Sequence, residues 1–325
     1  VVLLFPTFST VGFAFDVPRR KMYWTVEAFE WIMRANLDGT DVELLWEPDD
    51  PFFSTIVDIA IDSAGGKMYW TDVGTHKIQR ANLNGTSVED LVSGLDAFGI
   101  ALDVASGKMY WTVLALGKIQ RANLDGSGIE DLVTAGLLGP WGIALDLPGG
   151  KMYWVNVGMG RIQRANLDGS DIEELLVQPQ ELPPRWLALD VEGGKMYWTL
   201  SDLQFGKSGK IQRANLDGSE IEDLFTPEPF ADLPLGIALD LQARKMYWSG
   251  AGIRRANLDG SDIETVLDNA SRDLTGLALD LTTPTPVPAA SEWSIIAMTL
   301  ALGAGVAAIA RRSSWMAHGQ WITSG

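Results

Sequence analysis

The tetrapeptide KMYW occurs six times, at intervals of 41–50 residues, starting at Lys21, Lys67, Lys108, Lys151, Lys195 and Lys245. Each copy lies within four short segments, clearest in GIALDVASGKMYWTVLALGKIQRANLDGSGIEDLV at 99–133. These segments are rich in β-branched and aromatic residues and bounded by Gly, Asp or Asn, which is typical of strands. Four strands in about 43 residues indicate a β-propeller blade. The sequence therefore predicts an all-β, six-bladed β-propeller of four-stranded antiparallel blades.

The connections between these predicted strands fall into two classes. Four residues always separate the Asp of the LALD-like run from the next Lys, and eight positions always separate the Arg of RANL from the following apolar residue. The other two connections vary in length. In an antiparallel blade the constant turns share one face of the disc, here called the fixed-turn face. The variable loops share the opposite, variable-loop face, which is the predicted binding face because scaffolds vary the loops that bind.

The repeated residues are predicted to be structural. Alternation along KMYWT places Met and Trp on one side of the strand and Tyr and Thr on the other, and both sides face neighbouring blades. A carbohydrate-stacking ladder is the alternative, but repeated aromatics at strand centres favour the core. The predicted blade-core rings are Trp24, Trp70, Trp111, Trp154, Trp198 and Trp248.

Two further repeated motifs are interpreted as turns. NLDG, or NLNG at 82–85, is a strong hairpin signal, and neither EF-hand nor RTX calcium spacing is present. The seven aspartates that end the LALD-like runs are expected to cap the following turn rather than to form a ring of carboxylates. These are Asp16, Asp62, Asp103, Asp146, Asp190, Asp240 and Asp280. No metal site and no cofactor are predicted.

Charge and cysteine content exclude other classes. The net charge is −17, which opposes binding to nucleic acid. The chain has no cysteine, so disulfides and Cys-based metal sites are impossible. A secreted protein of this kind depends on packing alone.

The pattern LALD…KMYWTD…KIQRANLDGS…IEDLV resembles the YWTD repeat, the class B repeat of the low-density lipoprotein receptor, over roughly 12–281. The resemblance implies a six-bladed propeller that acts as an extracellular protein-binding module without catalytic residues. Only residues 69–72 spell the full motif; the other copies read YWTV, YWTV, YWVN, YWTL and YWSG. The Asp contact of the family is therefore expected in one blade only.

The chain ends suggest further segments. Residues 1–11 are interpreted as a partial strand or a remnant of an upstream repeat, 12–281 as the propeller, and 282–293 as a Pro/Thr linker with a sorting motif. The chain contains seven LALD-like runs but only six KMYW strands. Six blades, with one end strand sealing the ring, are favoured. A seven-bladed parent protein truncated at its start is the alternative.

The segment 294–312 is predicted to be a transmembrane or sorting helix, because 17 uncharged residues precede two arginines; 313–325 form a tail. A buried core helix is the alternative. VPAASEWSIIAM…ARR also resembles bacterial C-terminal sorting signals of the IPTL-CTERM type. This resemblance implies a bacterial envelope protein displayed at the cell surface and anchored in the membrane by its C-terminal segment.

The predicted function is non-catalytic binding of a protein or glycan by a monomeric propeller, with basic or neutral partners favoured. Aromatic residues that do not repeat, together with one arginine, are predicted to anchor the partner on the variable-loop face. These are Trp46, Phe53, Phe98, Trp141, Arg185, Trp186 and Phe230.

The alternative function is a propeller enzyme of the lactonase or lyase type with a site in the central channel. The chain contains only two histidines, and no HExxH or GxSxG spacing. Asp58, Arg185 and Thr275 are the polar substitutions expected near the channel mouth. This evidence favours binding over catalysis.

Overall fold

The structure is a computed structural model and describes residues 10–26, 30–48, 54–179, 181–201, 209–227, 233–250 and 252–268. Six sheets, each of four consecutive antiparallel strands, make up these residues. The inner strands of neighbouring sheets pack side by side, and the first sheet also packs against the sixth. The predicted six-bladed propeller is confirmed.

Blades 1 to 3 contain β1 Thr10–Asp16, β2 Lys21–Val26, β3 Trp31–Asn36, β4 Glu43–Trp46, β5 Ile56–Asp62, β6 Lys67–Asp72, β7 Lys77–Asn82, β8 Glu89–Ser93, β9 Ala97–Asp103, β10 Lys108–Val113, β11 Lys118–Asn123 and β12 Glu130–Val133. Blades 4 to 6 contain β13 Pro140–Asp146, β14 Lys151–Asn156, β15 Arg161–Asn166, β16 Glu173–Val177, β17 Pro184–Asp190, β18 Lys195–Ser201, β19 Gly209–Asn215, β20 Glu222–Phe225, β21 Ile237–Asp240, β22 Lys245–Ser249, β23 Gly252–Asn257 and β24 Glu264–Asp268. A single 3₁₀ turn, Val157–Met159, follows β14. The strand order follows the four segments of the sequence repeat.

Each KMYW strand is the second of its blade and pairs on both sides. At the interface of blades 2 and 3, Met109 and Trp111 share a buried cluster with Tyr69 of the preceding blade. The same arrangement recurs at all six interfaces. Trp24 is 3% exposed and the other five KMYW tryptophans are fully buried. One large ring fills each wedge between blades, which accounts for the repetition of the tetrapeptide.

The arginine of each RANL segment links its blade to the next one. Its guanidinium donates to a leucine carbonyl of the following blade, as from Arg34 to Leu83 at 2.8 Å. The equivalent arginines of blades 2 to 5 make the same bond at 2.8–3.2 Å. Arg255 of blade 6 donates to Leu37 of blade 1 at 3.5 Å. The ring is therefore closed by the contact that joins its other blades.

The predicted structural role of the repeated aspartates is confirmed for the six that the structure describes. Asp62 accepts a hydrogen bond from the backbone N–H of Gly65, and Asp146 accepts one from Gly149. Asp16, Asp103, Asp190 and Asp240 cap their turns in the same way. All six are buried. They stabilise the fixed-turn face and leave no ring of exposed carboxylates.

The NLDG segments form the predicted turns. Asp125 accepts hydrogen bonds from the backbone N–H and the hydroxyl of Ser127, and this bonding lowers its pKa. Gly126 follows with φ of 84°, and a Cβ there would lie 2.2 Å from the carbonyl oxygen of Leu91 in the preceding blade. Glycine is required at this position by both backbone conformation and packing.

Residues 269–325, which include Asp280, Thr275 and the predicted helix at 294–312, lie outside the described residues, as do residues 1–9. Within the described ranges no helix is long and apolar enough to cross a bilayer. The described strand β1 begins at Thr10, two residues before the predicted start of the propeller.

Candidate binding site

Four of the predicted binding residues form one cluster around the channel on the variable-loop face. The ring centroids of Phe98 and Trp141 lie 4.7 Å apart in an edge-to-face arrangement. The ring centroids of Trp141 and Trp186 lie 6.3 Å apart. The Arg185 guanidinium lies 5.1 Å from the centre of the Trp141 ring. Phe98, Trp141 and Arg185 are partly exposed. We call Phe98, Trp141, Arg185 and Trp186 the mouth cluster.

A bulge near the start of the inner strands positions this cluster. The register between β9 and β10 shifts between Trp111 and Val113, and the hydroxyl of Thr112 fills the gap. That hydroxyl accepts from the N–H of Gly99 and donates to the carbonyl of Trp141 in the next blade at 2.6 Å. The threonine of the KMYWT motif thus fixes the backbone that carries Phe98 and Trp141.

The position at the bulge is glycine in four blades, because the inner strands approach each other closely there. A Cβ on Gly12 would lie 2.7 Å from the Cα of Asp58, and one on Gly99 would lie 2.5 Å from the carbonyl oxygen of Trp141. Asp58 and Trp186 occupy this position in blades 2 and 5. These two opposite blades therefore break the symmetry of the channel.

Asp58 is a buried carboxyl group, 8% exposed, at the wall of the channel. It accepts hydrogen bonds from the backbone N–H groups of Ile59 and of Ile100 in the next blade, both at 2.9 Å. Burial raises its pKa to about 7, although the two hydrogen bonds act in the opposite direction. The sequence analysis placed Asp58 near the channel mouth; the structure places it at the bulge.

Trp186 lies deeper than an exposed anchor requires. It is 6% exposed and belongs to a buried cluster that also contains Leu235 of blade 6 and Val57 of blade 2. Its ring lies against blade 4, where a Cβ on Gly142 would be 3.0 Å from Cε3 of Trp186. Within the mouth cluster, Trp186 therefore lies below the three partly exposed members, Phe98, Trp141 and Arg185.

Trp46 does not join the mouth cluster. It is the last residue of the outer strand β4, and its ring centroid lies 5.2 Å from that of Trp70 in the next blade. Phe225 packs in the same way against Trp248 at 5.1 Å. The other blades have Val92, Val133, Leu176 and Leu267 at this position. Trp46 therefore extends the core between blades while remaining partly exposed, and its predicted role as a surface anchor stays a prediction.

Phe53 and Phe230, the two remaining predicted anchors, lie outside the described residues.

Exposed aliphatic residues on the variable-loop face were missed by the sequence analysis. Leu116, in the loop between β10 and β11, is 64% exposed, and Leu138, in the loop before β13, is 45% exposed. The two loops touch, since a Cβ on Gly117 would lie 2.7 Å from the carbonyl oxygen of Leu137. Val177, which ends β16, is 59% exposed. All three residues belong to blades 3 and 4, which also carry Phe98 and Trp141. The sequence signal for the two exposed leucines was the presence of the apolar segments LALG and LLG in variable loops.

The one full YWTD motif has a structural role. Asp72 is buried and accepts hydrogen bonds from the Ser54 hydroxyl and from the backbone N–H groups of Thr55, Gly74 and Thr75. Asn156 replaces it in blade 4 and bonds the backbone of the loop before β13. These contacts fix variable loops without presenting a reactive group. Among the described residues, no group of three His, Asp or Glu side chains is arranged to hold a metal ion.

Residues 66–104 match the model of the low-density lipoprotein receptor repeat class B. No curated protein matches the sequence significantly.

Solved structures resemble the propeller in fold. A chain of a nidogen/laminin complex has a TM-score of 0.60 and 21% identity, and the match covers 79% of this chain and 90% of that one. A gluconolactonase from Xanthomonas campestris has a TM-score of 0.59 and 19% identity, and the match covers 75% of this chain and 83% of that one. A putative TolB from Agrobacterium tumefaciens has a TM-score of 0.57 and 16% identity, and the match covers 68% of this chain and 82% of that one. At these identities the likeness establishes the fold alone.

Proposed function

We propose that this propeller binds a protein partner on the variable-loop face, through the mouth cluster and the exposed leucines of blades 3 and 4, without catalysing a reaction. The observation that carries the proposal is the contact of Phe98, Trp141 and Arg185, which occupy equivalent positions in three consecutive blades. Tryptophan and arginine are the residues most enriched at binding hot spots. The blade core does not need them there, since blade 2 has Val57 at the same position.

The chemistry of the patch defines the partner. Trp141, Leu116 and Leu138 offer apolar area to an apolar side chain, as expected of an exposed patch bordered by polar residues. The Arg185 guanidinium lies over the Trp141 ring and adds a positive charge to the patch, while its Nε–H donates to the carbonyl oxygen of Ser201. The net charge of −17 steers basic partners toward the chain over longer distances and repels acidic ones, so basic or neutral partners are favoured.

Two comparisons support this proposal. The class B repeat match at 66–104 belongs to a family of receptor repeats, and one similar structure is part of a nidogen/laminin complex. We further propose that the propeller is monomeric and displayed outside a bacterial cell, anchored through 294–312. Fractionation of cells that express the fluorescently labelled protein with and without residues 282–325 tests the anchor: loss of the protein from the envelope on deletion supports it, and unchanged retention contradicts it.

The binding proposal is tested with two double variants that introduce the same number of charges on opposite faces of the propeller. Leu116→Glu/Leu138→Glu places two charges on the proposed patch, whereas Ile129→Glu/Ile172→Glu places two on the fixed-turn face of the same blades at similar exposure. Full-length protein is used to capture extracellular proteins, and the captured partner is then titrated against each variant. We expect the patch variant and Trp141→Ala each to weaken binding by about 2 kcal/mol, the hot-spot scale, and the control to bind normally. Loss of binding in the control alone would contradict the proposal.

The alternative function is enzymatic, and Asp58 is the observation that favours it. Its pKa of about 7 suits a general acid or base, and one structural neighbour is a gluconolactonase. Both carboxyl oxygens already accept backbone hydrogen bonds, which favours a structural role. Hydrolysis of glucono-δ-lactone by the protein, with loss of activity in Asp58→Asn, would support the enzyme; partner binding unaffected by Asp58→Asn is expected from the binding proposal.

A further inference from the structure

The central channel is filled at the level of the bulge. Trp186 reaches from blade 5 into a buried cluster with Leu235 of blade 6 and Val57 of blade 2, which lies across the axis. Beside Asp58, a cavity of about 100 Å³ remains at this level. The channel is therefore narrow toward the variable-loop face.

Below this level the channel widens into a cavity of about 390 Å³ that opens on the fixed-turn face. Its wall consists of the ends of the inner strands of five blades, with Leu102, Leu145, Leu189 and Leu239 among the lining residues. None of the described residues that line it is ionisable. The LALD aspartates lie at the same level, but their side chains are engaged in capping the turns.

The turns at the rim of this cavity share one mostly apolar position, although Arg19, Arg20 and Arg244 lie further along two of the same turns. The first residue after the LALD aspartate is apolar in five of the six described turns. Val104, Leu147 and Leu241 at this position are 38–39% exposed. Exposed apolar residues around a cavity, on a protein of strongly negative charge, are typical of a ligand site. The capping requirement explains the aspartate but not the apolar residue beside it.

We propose that the fixed-turn end of the channel is a second binding site, for a neutral small molecule that combines apolar surface with hydrogen-bonding groups, because apolar side chains and backbone groups of the inner strands both face the cavity. The volume lies at the lower end of the range for ligand pockets, about 300–1,000 Å³. A charged ligand inside the cavity would lose hydration without meeting an ionisable side chain among the described residues of its wall. Each described inner strand pairs on one side only, so its free edge supplies N–H and C=O groups that orient the ligand. This site is separate from the proposed partner surface on the opposite face.

The test uses the neutral dye N-phenyl-1-naphthylamine, whose fluorescence rises in apolar surroundings, and the full-length protein. The rim variant is Leu147→Glu/Leu241→Glu. The control, Ile172→Glu/Ile263→Glu, carries the same changes in the same blades at 45–48% exposure, in the outer turns of the same face. We expect saturable dye binding that is weakened about tenfold or more in the rim variant, because the new carboxylates border a cavity whose described side chains are all uncharged. The control and Leu116→Glu/Leu138→Glu should bind the dye as the unaltered protein does.

The outcomes separate the site from other dye-binding surfaces. Equal binding by the rim variant and the unaltered protein would overturn the proposal, as would equal weakening in the outer-turn control. Loss of dye binding in Leu116→Glu/Leu138→Glu alone would place the dye on the opposite face and would also overturn it. If the double rim variant unfolds early, Val104→Glu with Ile129→Glu as control gives the same comparison within blade 3.

Discussion

Replacing Asp58 by asparagine should change how the stability of the propeller depends on pH. The buried carboxyl has a pKa of about 7 in the fold, against an ordinary value of 3.8. The folded state therefore binds the proton more tightly than the unfolded state. The resulting stability is fully present below pH 4 and is lost as pH rises to 7.

The size of the pH-dependent loss of stability follows from the pKa shift of Asp58. About three pKa units at about 1.4 kcal/mol each give a total loss of about 4 kcal/mol, of which about 3 kcal/mol falls between pH 5 and pH 8. The asparagine side chain of the variant would stay neutral throughout this range, so the variant does not share the loss. Its amide group can accept only one of the two N–H bonds from Ile59 and Ile100, which costs about 1–3 kcal/mol at every pH.

The assay is urea unfolding of the full-length protein and of Asp58→Asn at pH 5, 6, 7 and 8, followed by tryptophan fluorescence. The free energy of unfolding of the variant minus that of the unaltered protein should rise by about 3 kcal/mol from pH 5 to pH 8. Asp38→Asn is the control, because hydrogen bonds from Thr40 lower the pKa of Asp38 and keep it ionised over this range. A constant difference for Asp58→Asn, or one of opposite sign, would refute the reasoning.

Three further perturbations test other parts of the fold. Trp111→Ala should lower the free energy of unfolding by about 3–5 kcal/mol in a urea titration, because the ring is fully buried; a loss within error would contradict its role in the core. Thr112→Val, which copies Val155 of blade 4, should cost about 1–3 kcal/mol by leaving Gly99 N–H and the Trp141 carbonyl unpaired, and no change would mean that water replaces the hydroxyl. Deletion of all residues after 281 should give a soluble domain with an unchanged calorimetric melting temperature; early melting or aggregation would assign the segment to the fold.

Most of the fold could be predicted because it depends on spacing. Constant turns, an Asp–Gly hairpin and a central aromatic strand repeat along the chain, and each of these features reports local geometry. Ring closure between blades 6 and 1 involves contacts between residues far apart in the chain, such as Arg255 and Leu37, which are 218 positions apart. The repeated arginine was visible in the sequence, but its acceptor lies in another blade.

The candidate site was predicted in part. Phe98, Trp141 and Arg185 stood out because they occupy one repeat position without repeating. The depth of Trp186 could not be derived from composition, since it depends on the close approach of backbones at the bulge. The signal was present as glycine four residues before the LALD aspartate in four blades, with Asp58 and Trp186 as the exceptions. The contact of Trp46 with Trp70 could not be derived from the sequence either, because it joins two blades.

The arginine–leucine contacts have a consequence for the order of the blades along the chain. The peptide chain itself crosses five of the six blade interfaces, and the sixth is held by side-chain and backbone contacts alone among the described residues. Since the same type of contact joins every pair, a circular permutant opened in the loop before β13, with its original ends linked, would keep all six interfaces. Only the location of the non-covalent seam would change, from blades 6 and 1 to blades 3 and 4. The junction of blades 6 and 1 is thus one of several equivalent places at which the described ring can begin.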